Sequence, residues 1–347
     1  MSDTSPTAGA LPALEQRHPN SDHGDRPTRA EQFASKLLTI PQLLTLEPPQ
    51  PLIDEVLYAG TLAVLFGGPG SYKTFVGLDY ALCVAAGLPW QAREVHGGNV
   101  LYVVAEGSAG FGQRIDAWLK GFGADWPDRF RAYPSSIDLR DRHQVAAVAD
   151  WAAEVHLALA VFDTLARSMP GGDENSAKDM GELIDGADRI RQASGATALL
   201  IHHTGKDGID VRGSSALRGA ADTMIKVEAE GRLVTLRNQP PAGKQKDAEP
   251  FEPIRLRADQ VQLAQGESVV LRAFEGLHAQ PASEQYVEAI RAALAEAFSE
   301  TGASRKVLCD YTGLSEWQVS RAANTLLKRG LIGNAGSKAR PVWKTLP

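Results

Sequence analysis

Four short, continuously apolar runs dominate the middle of the chain: 61–66 (TLAVLF), 99–105 (NVLYVVA), 158–162 (ALAVF) and 197–202 (TALLIH). Segments with helical periodicity lie between them, at 73–87, 110–120, 142–155 and 176–194. Strands that are apolar on both sides must be covered on both sides, and the intervening helices supply the cover. The pattern predicts an α/β fold with a mostly parallel sheet flanked by helices. After Ala220 the texture changes to short strand-like segments at 223–228, 232–237, 254–258, 261–264 and 268–272. Their tight connections predict antiparallel additions to one sheet edge.

The first apolar run leads into Gly67-Gly68-Pro69-Gly70-Ser71-Tyr72-Lys73-Thr74 and then into the helical pattern FVGLDYALCVAAG. Strand, glycine-rich loop, Lys-Thr and helix are the parts of a phosphate-binding loop. Backbone N–H groups and the helix N-terminus surround a phosphate, Lys73 reaches its outer oxygens, and the Thr74 hydroxyl binds Mg²⁺. Tyr72 stands where glycine is usual, and a bulky aromatic rarely adopts the positive φ that a glycine there would supply. Lys73 occupies the place of the third glycine of a dinucleotide fingerprint, which excludes that reading. The plainer alternative is a Gly/Pro turn ahead of a helix.

Hydrolysis needs a metal-orienting carboxylate and a group that positions water. Asp163 ends the run Leu157–Phe162, which places a carboxylate at the carboxyl edge of the sheet, where it would hold Mg²⁺ through a water. The alternative is a turn or helix-capping aspartate. Glu106 ends the run NVLYVVA and is the candidate general base, against the alternative of a solvated loop carboxylate. His202 and His203 end the fourth run. Neighbours on a strand point to opposite sides, so they do not read as a metal pair. One of them is a candidate sensor of the γ-phosphate; a packed histidine at a strand end is the alternative.

The segments GGPGSYKTF, VLYVVAEGSAGFGQR, VFDTLARSMPGGDENSAKDMG, LLIHHTGKDG and VRGSSALRGAADTMIKVE, in this order, resemble the RepA-type ATPases over roughly Pro49 to Leu271. These are hexameric replicative helicases of plasmids, phages and mobile elements within the RecA-like group. The resemblance implies a RecA-like core with ATP between the subunits of a ring. Lys73 and Thr74 match the Walker A positions, Glu106 the catalytic glutamate and Asp163 Walker B. His202 and His203 match the motif coupling the γ-phosphate to a DNA-facing loop that begins Thr204-Gly205-Lys206. Lys244 and Lys246, in the segment KQKD, resemble the basic pair that reaches into a neighbour's ATP site, with Arg212, Arg218 and Arg237 as weaker candidates. An ordinary surface loop remains open for 204–214.

The net charge of −6 argues at first against nucleic acid, but its distribution does not. From Thr301 onward eight Lys/Arg face two acids, a net of +6, which leaves −12 on the rest. A helix at 284–298, a short helix at 305–311, a helix at 316–329 capped by Ser315, and a hairpin ending at Val342-Trp343 predict a winged helix-turn-helix domain over 283–347. In such a fold the second helix of the pair enters the major groove. Trp317, Gln318, Ser320, Arg321, Asn324 and Lys328 are its candidate contacts, with Lys338 and Arg340 on the wing. The alternative is a dock for protein.

Residues 1–29 are too polar to order themselves; the ATPase domain is expected over 30–278, opening with a short helix broken by Pro41 at 30–44. No apolar run reaches the roughly 18 residues of a membrane span, and a cytoplasmic location is expected. The two cysteines, Cys83 and Cys309, read as core residues. The expected function is an ATP-hydrolysing, ring-forming helicase or translocase that acts on single-stranded and double-stranded DNA. Two rivals are an ATP-switched DNA-binding regulator that does not unwind and a P-loop kinase of a small molecule; for the kinase, no acceptor lid is recognisable.

Overall fold

The computed structural model describes residues 28–35, 37–46, 49–205, 208–246, 248–274, 282–314, 316–337 and 341–346, with backbone only for Gln32, residues 282–285, Trp317 and Arg321. Most of the expected N-terminal tail, Lys206, Asp247, the Ser315 cap, Lys338, Arg340 and the stretch that would divide the two large domains lie outside the described residues. The chain separates into two units, 1–47 and 48–347.

In the first unit lie α1 (Arg29–Ala34) and α2 (Ile40–Leu44). Thr28 and Glu31 cap α1 reciprocally: the Thr28 N–H donates to the Glu31 carboxylate at 2.8 Å and the Glu31 N–H to Thr28 Oγ1 at 3.2 Å. The break expected at Pro41 comes earlier. Pro41 sits in the first turn of α2, where its missing N–H costs nothing.

The second unit begins with the antiparallel pair β1 (Pro51–Ile53) and β2 (Leu57–Tyr58). The central strands and their helices then alternate: β3 (Leu62–Gly67), α3 (Lys73–Ala86), β4 (Asn99–Val104), α4 (Ser108–Phe122), β5 (Phe130–Tyr133), α5 (Arg142–Glu154), β6 (Leu157–Asp163), a 3₁₀ turn (Leu165–Ser168), α6 (Ala177–Ser194) and β7 (Thr197–His203). After the short α7 (Ser215–Ala220) come β8 (Thr223–Glu230), β9 (Leu233–Arg237), β10 (Lys244–Gln245), β11 (Ile254–Gln262) and β12 (Glu267–Ala273). The sheet runs β12-β11-β9-β8-β3-β7-β6-β4-β5, with β10 against β8. This is the expected RecA-like, mostly parallel architecture.

Side-chain alternation builds two layers. Leu62, Val64 and Phe66 face a core with α5 and α6, while Ala63 and Leu65 face a core with α3 and α4. The second of these cores also contains Val234, Leu256 and Leu271. The antiparallel arm therefore folds over α3 and α4: Gln91 donates to the Leu271 carbonyl at 3.2 Å, and a side chain at Gly121 would press on Val270. One strand departs from expectation. β8 pairs parallel with β3, Gly67 opposite Val227, and only β9 to β12 are antiparallel. The 204–222 connection carries the chain from β7 to the far side of β3 and so permits the parallel direction. The segment 254–258 and the start of 261–264 merge into one strand ending at Gln262, and β5 lay outside the four apolar runs because its residues are largely exposed.

Asp79 locks α3 to its surroundings from inside the core. Its Oδ2 accepts from Trp90 Nε1 at 2.6 Å and its Oδ1 from Trp118 Nε1 of α4 at 2.7 Å. Burial pushes its pKa up to about 6, against the pull of both indoles.

The last part contains α8 (Ala282–Glu296), β13 (Ala303–Ser304), α9 (Arg305–Thr312), α10 (Glu316–Lys328), β14 (Ile332–Asn334) and β15 (Val342–Thr345). Its sheet order is β13-β15-β14, and Ile290, Leu294, Leu308, Val319, Leu326 and Trp343 form its core. Cys83 is buried in the main core; Cys309 is only half-buried. Among the described residues no helix is long and apolar enough to cross a membrane.

Because Asp79 holds its proton more tightly folded than unfolded, its contribution to stability is full below about pH 4 and is lost as pH rises through about 6. Asp79→Asn cannot titrate, so urea unfolding at pH 4.5 and 7 should show the stability of the parent relative to the variant falling by roughly 2 kcal/mol between the two.

Candidate functional site: a phosphate loop at the sheet edge

The strand register gathers the candidate residues. Gly67 lies opposite His203, Asp163 opposite Ile201, and Val104 opposite Asp163, so β3, β7, β6 and β4 end on nearly one line. Their carboxyl ends form the edge where open α/β sheets bind ligands. Gly67 is required by contact: a Cβ there would stand 2.3 Å from the Val227 carbonyl oxygen.

The loop 68–72 then turns back into α3. Gly70 and Tyr72 both have left-handed backbone, with φ of 73° and 66°. The position where glycine is usual thus keeps the conformation glycine would supply, at a cost of about 1–2 kcal/mol for a residue with a Cβ. Lys73 begins α3, and its Nζ donates to the Gly68 carbonyl across the loop at 2.7 Å. Burial lowers its pKa; Asp163 and Glu106 oppose that shift, which brings both carboxylates into the field of the ammonium group.

Asp163 is buried. Desolvation raises its pKa, and hydrogen bonds from the Thr74 and Tyr102 side chains hold it down. The Tyr102 hydroxyl donates to its Oδ2 at 2.9 Å. Glu106 is exposed at the end of β4. Arg167, in the 3₁₀ turn after Asp163, donates from Nε to its Oε1 at 3.0 Å, and the Thr164 hydroxyl lies 3.4 Å from the same oxygen. Arg114 of α4 stacks its guanidinium 5.2 Å from the ring centre of Phe75 and lowers the pKa of Asp163. Tyr102, Arg114 and Arg167 carried no sequence signal of their own; strand pairing and helix packing bring them here.

The histidines divide. His203 is half-buried, its pKa lowered by burial and then by Lys73, so it lies on the side of the phosphate loop. His202, the other sensor candidate, points to the other side. It is fully buried and its Nε2 donates to the Arg212 carbonyl at 3.0 Å; burial pushes its pKa down to about 4, so it is neutral at pH 7. The structure therefore brings His203, and not His202, to the lysine.

The basic candidates for a neighbour's site are engaged within the chain. Lys244 donates to the Arg218 and Gly219 carbonyls at 2.9 and 3.1 Å, and Lys246 pairs with Asp222 at 3.4 Å. Lys244 lies opposite Met224, which lies opposite Val64, so Lys244 stands two strands to the side of β3 and, along the strands, three rungs or about 10 Å short of its loop end. Arg212 pairs with Glu174, Arg218 with Asp210, and Arg237 with Glu228 at 3.3 Å. In the C-terminal part, Gln318 turns inward: it is half-buried and hydrogen-bonds the Tyr286 hydroxyl. Asn324 and Lys328 of α10 are exposed, and Ser320 is half-buried.

The chain's own atoms fit a magnesium-bound triphosphate. Ser71 Oγ is buried with no partner among the described residues, and the Thr74 hydroxyl with the Asp163 carboxylate is the hard-oxygen donor set Mg²⁺ takes alongside phosphate. Lys73 and Thr74 would hold the phosphates and the ion, and Asp163 the ion through its shell. A bound Mg²⁺ neutralises charge on the β- and γ-oxygens. A cleft of about 190 Å³ beside the loop is lined by Gly68–Ser71 on one side and Lys226–Ala229 on the other, with Thr204 and Gly208.

This strand order and this loop define a RecA-like P-loop ATPase domain. A family model described as an AAA domain matches residues 28–209, just over half of the chain, and the chain belongs to that family. No curated protein matches it. The family match ends ahead of β8, the antiparallel arm and the C-terminal part.

Tyr102→Phe removes one of the two donors that oppose the upward pKa shift of Asp163. It should weaken binding of magnesium nucleotide about tenfold, in line with a charge-assisted hydrogen bond, with the fold intact. A Mg²⁺ titration of nucleotide binding checks this; an unshifted midpoint contradicts it.

Proposed function

We propose that the protein is an ATP-driven DNA helicase or translocase of mobile-element replication, assembled as a ring of six copies with ATP between subunits. The observation that carries the reading is the convergence of Lys73, the Thr74–Asp163 pair and Glu106 on one sheet edge. Lys73 anchors the phosphates, Asp163 and Thr74 serve the metal ion, and Glu106, once released from Arg167, activates water. His203 lies where a group responsive to the γ-phosphate belongs, and it is joined directly to the 204–214 segment that would follow a DNA strand.

Two features support assembly and DNA. Lys244 and Lys246 sit too far from their own loop to serve it, which fits a role in a neighbouring copy. The C-terminal order of helix, strand, two helices and two strands is that of a winged helix, and the excess of basic residues falls there. In this reading α10 enters the major groove, Asn324 and Lys328 with Trp317 and Arg321 contact DNA, and Lys338 and Arg340 hold phosphates from the wing.

Single-stranded DNA should raise the rate of ATP hydrolysis, and Lys73→Ala should reduce that rate by at least about 100-fold. Mass measurement with nucleotide bound should give a ring-sized particle. Hydrolysis indifferent to single strands, with tight binding to one duplex sequence, would instead identify an ATP-switched regulator.

A further inference from the structure

Tyr72 is the residue of the phosphate loop that the nucleotide reading does not use. Its backbone is left-handed, a conformation in which glycine carries no penalty and an aromatic residue does. The same loop has glycine at its other left-handed position, Gly70. A side chain retained against that penalty points to a task for the side chain itself.

The Tyr72 ring is half-buried, tilts against Phe75 one helical turn on (centroids 5.9 Å apart), and aims its hydroxyl at the turn between β8 and β9. The hydroxyl lies 3.5 Å from the Gly231 carbonyl oxygen, at the outer limit of a hydrogen bond. The same hairpin meets the start of the loop, where Gly67 packs on the Val227 carbonyl too closely for any side chain. It also forms the opposite wall of the cleft, through Lys226–Ala229. The hairpin thus grips the loop at both ends, rigidly by backbone at Gly67 and adjustably by a side chain at Tyr72.

We infer that Tyr72 is a positioning residue that transmits occupancy of the phosphate loop to the β8–β9 hairpin, closing its hydroxyl onto the Gly231 carbonyl when phosphate is held. The inference rests on the loop being the nucleotide site. Phosphate held in the loop would fix residues 68–72, and the Tyr72 side chain joins the far end of the loop to the hairpin.

The test is hydrogen exchange of the full chain with and without magnesium ADP, comparing the parent with Tyr72→Phe and Tyr72→Gly. In the parent, nucleotide should slow exchange at both 68–76 and 228–233, by about tenfold or more. In both variants the loop should still be protected while the hairpin response falls to less than about twofold. Tyr72→Gly should also melt higher than Tyr72→Phe, because glycine relieves the backbone. A hairpin response in Tyr72→Phe equal to the parent's would overturn the inference and leave the tyrosine a packing residue. A parent whose loop is protected but whose hairpin is not would overturn it while sparing the nucleotide site. A parent in which neither segment responds would remove both.

Discussion

Four parallel strands stop being apolar on the same line, and the rest of the molecule follows from that. A strand buried on both faces admits polar groups only at its ends, because a polar group left unpaired inside costs too much. Gly67, His203 and Asp163 are the last residues of their strands and Glu106 stands two residues past the end of β4, and parallel pairing brings these strand ends to one edge. A buried carboxylate there is tolerable because Tyr102 and Thr74 donate to it and Lys73 balances its charge. The arrangement concentrates ionisable groups where little water competes, which is the condition for strong electrostatic action on a phosphate.

The two halves of the sheet have different tasks. The parallel half sets the edge; the antiparallel arm folds back over α3 and α4 and encloses the helix that carries the lysine. Asp79 serves the same end from within, since one carboxylate accepts from indoles on two different elements and so fixes α3 against α4. The position of Lys73 thus depends on contacts spread from Trp90 to Leu271. Glu106, by contrast, is itself exposed, and its nearest partner, Arg167, is exposed too. The Arg167 pair is solvent-accessible and worth little energetically, so this carboxylate is free to exchange partners where Asp163 is not.

Local pattern made much of this legible. Apolar runs and helical periods depend on which residues neighbour each other along the chain, so the alternating α/β core, the phosphate loop and the carboxylates at strand ends could be read from residue order alone. The C-terminal helices and hairpin were legible for the same reason. The edge strand β5 was not, since exposed residues such as Arg131 and Tyr133 leave no burial signature.

What required the tertiary structure were relations between segments far apart in sequence. The direction of β8 depends on where the 204–222 connection crosses, which no local pattern encodes. Which of two adjacent histidines meets the lysine is decided by the parity of β7 in the sheet, and Gln318 turns inward because Tyr286 is there to receive it. Arg167 and Tyr102 join the site through partners roughly 60 residues away, at 3.0 and 2.9 Å. The sequence by itself determined which residues stand at the ends of apolar strands, because burial sorts residues by chemistry; the fold decided which of them face one another, because that is a matter of register and crossing in three dimensions.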